Sequence, residues 1–137
     1  MRPIILVIEN DYSYSQYLKK TLIDKGYEVI LSKSGLKAIE KIKNKRVDLV
    51  ISSYYLPNLR GDEFYKQLLD LFPDIPVIFI SHEAHKKTIK KILSYSNADY
   101  MVKPIVLSEL LARIEISLDE HKKVSGKNKL KVGDLVF

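Results

Sequence analysis

Glu9, Asn10 and Asp11 follow an apolar run at residues 4–8, Ser53 closes another at 49–53, and Ser81 and Lys103 end two more. Carboxylates, hydroxyls and an ammonium at the ends of such runs are groups suited to holding a phosphoryl group and balancing its charge. Ser53 limits that chemistry, because a serine hydroxyl cannot form the labile acyl phosphate that a carboxylate forms. No histidine is placed by sequence to activate Ser53, so a nucleophilic serine would lack its general base. No catalytic residue is expected, and the chain is read as a non-enzyme. Two readings of Ser53 stay open: a small polar residue filling a pocket, or an acceptor modified by a Ser/Thr kinase.

The histidine pair in His82-Glu83-Ala84-His85 is spaced by three rather than the four of a helical zinc motif, and no further ligand cluster is evident. His82 follows Ser81 and reads either as part of the pocket rim or as a loop residue. Tyr54-Tyr55 reads either as a cover over the pocket or as loop packing.

Short apolar runs alternate with amphipathic segments along most of the chain. Strands are expected at residues 4–8, 27–31, 49–53, 77–80 and 100–102. Helices are expected at about 13–25, 34–45, 62–72, 84–95 and 107–118, with Gly26 ending the first. Their inward residues would include Tyr17, Leu18, Leu22 and Ile23, then Leu36, Ile39 and Ile42, then Phe64, Leu68, Leu71 and Phe72. Five βα units imply an α/β fold, a doubly wound parallel sheet with helices on both sides. Ligands of such sheets bind beyond the C-terminal strand ends, where the residues named above converge.

Length and composition fit this picture. The 137 residues suit one domain with a short extension, at 46% hydrophobic and 29% charged residues. No run approaches the roughly 20 apolar residues of a membrane span, and no membrane partner is expected. The count of 0 cysteines excludes disulfides and thiolate sites and fits a cytoplasmic protein. The net charge of +6 would allow a polyanionic partner, but the lysines are spread over several helix surfaces. Residues 1–121 are read as the domain and 122–128, polar and poor in apolar residues, as a linker. Residues 129–137 alternate again and read as a strand that opens a second domain.

These residues together resemble the receiver domain of bacterial two-component response regulators. The motifs that carry the resemblance are residues 4–11, the acceptor strand with Leu56-Pro57-Asn58-Leu59-Arg60-Gly61, residues 76–81, and Ala98-Asp99-Tyr100-Met101-Val102-Lys103-Pro104. Glu109-Leu110-Leu111-Ala112-Arg113-Ile114 and the tail are similar to the OmpR/PhoB subfamily. The resemblance implies a flavodoxin-like (CheY-like) (βα)5 fold with strand order 2-1-3-4-5.

It also implies roles. Glu9 and Asn10 stand where two carboxylates would hold Mg²⁺, with Asp11 beside them, and Ser53 stands at the aspartate phosphoacceptor. Ser81, Tyr100, Lys103 and Pro104 match the phosphoryl-contact and switch positions. With one metal carboxylate and the nucleophile replaced, no cofactor is expected and Mg²⁺ binding is expected to be weak or lost, with Glu9 pairing Lys103 instead. Lys90, Lys91, Asp99, Glu109 and Arg113 fall on the fourth helix, fifth strand and fifth helix, which form a homodimer face in that subfamily. The implied function is an atypical signal-receiving domain of a DNA-binding transcription regulator, independent of aspartyl phosphorylation. DNA would be bound through the C-terminal domain, and a histidine kinase or other protein would be a further partner. The alternatives are an interaction module without DNA-binding output, and a phosphotransfer receiver using another acceptor such as Asp48 or Asp11.

Overall fold

The computed structural model describes residues 1–56, 59 and 61–134, with side chains through residue 122. Pro57, Asn58 and Arg60 of the acceptor-strand loop, and residues 135–137, lie outside the described residues. Ten elements follow in strict alternation: β1 (Ile4–Ile8), α1 (Tyr12–Asp24), β2 (Glu28–Ser32), α2 (Gly35–Ile42), β3 (Leu49–Ser53), α3 (Gly61–Leu71), β4 (Val77–Ser81), α4 (Lys86–Leu93), β5 (Ala98–Val102) and α5 (Leu107–Asp134). The strands are all parallel, in the order β2-β1-β3-β4-β5. This is the flavodoxin-like, CheY-like (βα)5 architecture. No helix among the described residues is long and apolar enough to cross a membrane.

The central strands explain why the apolar runs are continuous. Every residue of β3 and β4 is buried, and β1 is buried from Ile5 onward, because both faces of a central parallel strand are covered. On one face Leu6, Ile8, Val50, Val77 and Phe79 join Ala38 and Ile42 of α2, Phe64, Tyr65 and Leu68 of α3, and Ile92 of α4. On α1, Leu18 and Leu22 are buried.

Local signals set the helix ends. The Asp11 carboxylate accepts from Tyr14 N and caps α1, and Ser34 accepts from Lys37 N and caps α2. Gly26, at φ 93°, supplies the left-handed residue that stops α1. Asp11 is therefore the cap of the first helix, which starts at Tyr12, one residue earlier than expected. Tyr17, Ile23, Leu36 and Leu71, expected to face inward, are exposed. Their neighbours Ala38 and Tyr65 are buried in their place.

The chain divides into two compact units, Met1–Ile105 and Val106–Phe137. The first holds the sheet and the first four helices; the second is built on α5. That helix runs on through Asp134, past the expected end near Leu118, so the expected linker and the first residues of the expected strand are helical. Polarity suggested a linker, yet Glu120, Lys122, Lys123 and Lys127 are good helix formers and a helix can be polar on every side.

Candidate functional site

Three backbone hydrogen bonds carry the sheet ladder one residue past the strand ends. Glu9 N donates to Ser32 O at 3.0 Å, Tyr54 N to Ile80 O at 3.0 Å, and Lys103 N to Ser81 O at 2.8 Å. The register pairs Ile8 with Ser52 and Ser53 with Ile80, so Glu9, Ser53, Ser81 and Lys103 are drawn to one edge. A cleft of about 390 Å³ opens there, lined by these four with Asn10, Asp11, Tyr55, Ile80, His82 and Glu83. Eight of the residues singled out from sequence, Tyr55 and His82 among them, thus line one cleft.

Glu9 organises it. Its Oε1 accepts from Lys103 Nζ at 2.9 Å and from Ser53 Oγ at 3.0 Å, while Oε2 accepts from Asp11 N at 3.0 Å. The side chains of Glu9 and Lys103 are 2% and 12% exposed, so the pair is largely withdrawn from water. Lys103 Nζ also lies 4.2 Å from the centroid of the Tyr14 ring, a cation–π contact. Burial, reinforced by the nearby Glu9 carboxylate, pushes the Tyr14 phenol up to about 12. Asp11 lines the cleft, and its carboxylate caps α1. No buried side-chain nitrogen or oxygen among the described residues lacks a hydrogen-bond partner.

The β4–α4 turn is tied down beside the cleft. Ser81 Oγ accepts from Glu83 N at 3.0 Å, and Tyr100 Oη donates to the Glu83 carbonyl at 2.9 Å. Tyr100 is buried, and burial raises its phenol above the ordinary value. Pro104 follows a cis peptide bond from Lys103. His82 lines the cleft, whereas His85 pairs with Glu83 at 2.8 Å. Among the described residues, no group of three or more His, Asp or Glu is placed to hold a metal ion.

Other candidates lie elsewhere. Asp48, at the start of β3, accepts from Ile4 N at 2.8 Å, at the opposite end of the sheet from the cleft. Lys91 pairs with Asp62 at 3.1 Å and Arg113 with Glu109 at 3.2 Å, while Asp99 accepts from Tyr100 N. Lys90 is exposed on α4. Tyr54 is no cover: it is buried, with its ring edge-on to Phe79 at 5.5 Å, and only Tyr55 reaches the cleft. Tyr14 and Glu83 had not been singled out from sequence as site residues. Tyr14 could have been found, since the first turn of α1 leaves the end of β1 directly and must overhang the strand ends.

The response regulator receiver domain family matches residues 5–115. The chain belongs to that family. This receiver domain is 33% identical over 116 residues to the transcriptional regulatory protein CrdR of Helicobacter pylori, covering 84% of this chain and 54% of that one. It is 30% identical over 131 residues to the probable transcriptional regulatory protein SilR of Salmonella typhimurium, covering 96% of this chain and 58% of that one. The receiver domain therefore spans little more than half the length of these curated relatives. A CheY-like response regulator receiver domain protein from Methanospirillum hungatei matches with a TM-score of 0.81 at 26% identity, over 90% of this chain and 98% of that one.

Proposed function

We propose that this receiver domain is the regulatory part of a DNA-binding transcription regulator of the OmpR/PhoB type, and that it works without aspartyl phosphorylation. The observation that carries this is the Glu9 carboxylate, whose oxygens are already engaged by Lys103, Ser53 and the Asp11 amide. The cleft does not fit a magnesium ion. Mg²⁺ demands near-octahedral oxygen ligands, usually with one or two carboxylates. Here the buried carboxylate neutralises Lys103, and Ser53 spends its O–H on the same oxygen. Ser53, at the acceptor position, can form a phosphate ester but no acyl phosphate.

Regulation in this reading acts through self-association of two copies, for which Lys90, Lys91, Asp99, Glu109 and Arg113 are the candidates, and through output residues C-terminal to the receiver. The names of CrdR and SilR as transcriptional regulatory proteins support the output, and their greater length leaves room for it. Asp48 is a poor substitute acceptor, since it sits at the far end of the sheet and holds the Ile4 amide.

The test is incubation with acetyl phosphate and Mg²⁺, read by intact mass and by sedimentation, with a Ser53→Asp variant as control. The expected result is no base-labile adduct and an unchanged association state for the natural sequence, with an adduct in the variant. A base-labile adduct on the natural sequence, or self-association that depends on the phosphodonor, overturns the proposal.

A further inference from the structure

We infer that Tyr14 is the residue that keeps Lys103 on Glu9 and thereby closes the cleft to oxyanions. This deepens the reading above and rests on it, because it concerns the same ion pair. The contacts form a closed circuit. Glu9 Oε1 binds Lys103 Nζ at 2.9 Å, Lys103 Nζ lies 4.2 Å from the Tyr14 ring centroid, Tyr14 N donates to Asp11 Oδ1 at 3.1 Å, and Asp11 N donates to Glu9 Oε2 at 3.0 Å. Lys103 is far in sequence from the other three members, yet every link is a named contact.

The chemistry of the cleft gives the circuit a consequence. Ser53 and Ser81 bring hydroxyls to it and Lys103 the ammonium, which is the donor set an oxyanion needs. The ammonium has three N–H donors. One is on Glu9 Oε1 and the Tyr14 ring covers another side, so an oxyanion must displace the ring or share the ammonium with the carboxylate. The carboxylate competes by charge, and the ring adds attraction that an incoming anion cannot reproduce. Tyr14 is half-buried, so its ring also shields one side of the ammonium from water. Tyr14 is thus a positioning residue: it touches Lys103, not the ligand.

The experiment is proton–carbon NMR of the receiver domain labelled at lysine Cε, titrated with inorganic phosphate. The natural protein needs no substitution for the first readout. Protons over a ring face are shielded, so the Lys103 Hε signals stand upfield of the other lysines and do not respond to phosphate. Tyr14→Phe keeps both features. Tyr14→Leu loses the upfield shift and gains a saturable phosphate response at Lys103, with affinity raised about tenfold, within the range of a desolvated cation–π contact. Glu9→Gln removes the competing charge and also responds to phosphate. If Glu9→Gln does not respond, the ion-pair reading itself fails. If Glu9→Gln responds while Tyr14→Leu behaves as the natural protein, the role given to Tyr14 fails alone. Lys103 signals at the ordinary lysine position in the natural protein overturn it without any variant.

Discussion

Replacing Lys103 with methionine tests the electrostatics of the cleft most directly. Methionine keeps a flexible chain of similar length and removes only the ammonium. Glu9, 2% exposed at its side chain, is then left as a buried carboxylate without its counter-ion. Removing one partner of a buried pair costs about 3–5 kcal/mol, because an uncompensated charge stays behind. Here Ser53 Oγ and Asp11 N still donate to that carboxylate, at 3.0 Å each, and Lys103 itself keeps 12% exposure. Both facts point to the low end, about 3 kcal/mol. For a domain of this size that corresponds to a fall in Tm of about 10 °C. Urea unfolding of Lys103→Met, Glu9→Gln and the double variant measures it, with the denaturant slope checked for constancy. Because Glu9→Gln removes the stranded charge, the double variant is expected to lose less than the two single losses summed, by about 1–3 kcal/mol. A loss below about 1 kcal/mol for Lys103→Met, or strict additivity, would refute the view that this pair neutralises the cleft.

Two further outcomes follow from packing and titration. A Cβ at Gly61 would sit 2.6 Å from Tyr54 Cδ1 and 2.7 Å from the Tyr54 carbonyl oxygen, which also accepts the Gly61 amide. Gly61→Ala is therefore expected to cost about 1–3 kcal/mol or more, since the backbone oxygen cannot give way as a side chain can; a Tm within 2 °C of the natural protein, roughly the effect of half a kcal/mol, would contradict it. For pH, the Tyr14 phenol is raised from 10.0 to about 12 in the folded protein, so its contribution to stability is full below pH 10 and lost as pH rises through about 12. Unfolding midpoints between pH 9 and 12 should fall with pH, and less steeply in Tyr14→Phe; an equal slope in both proteins would show that Tyr14 is not the group concerned.

Much of this was legible in the sequence because a parallel sheet is a strong constraint. Continuous apolar runs at 4–8, 49–51 and 77–80 fit strands covered on both faces, and the topology then forces their polar ends together. The Glu9–Lys103 pair followed once Ser53 and Asn10 were seen to lack charge. Side-chain direction on short helices was less legible. Leu36 and Ile39 both fit an apolar stripe, and the residues of α2 that became buried are Gly35, Ala38 and Ile42. Tyr54 reads from sequence as either a pocket cover or loop packing, and only the fold shows its ring edge-on to Phe79 and Tyr100. The Tyr14–Lys103 contact joins residues far apart in sequence, and only the place of Tyr14 in the first turn after β1 hints at it. The continuation of α5 through Asp134 escaped notice because charged helix formers were read as linker composition.

The bonds that mount Glu9, Tyr54 and Lys103 at the sheet edge run from one peptide group to another and involve no side chain. Their geometry is therefore indifferent to what each position displays. The edge behaves as a socket whose pins can be exchanged while the wiring stays in place. Side chains at Glu9 and Lys103, which face the cleft, could be exchanged without touching these bonds, and an engineer could install a histidine or carboxylate at either mount and expect it to face the same space, whereas Tyr54 carries its ring into the core.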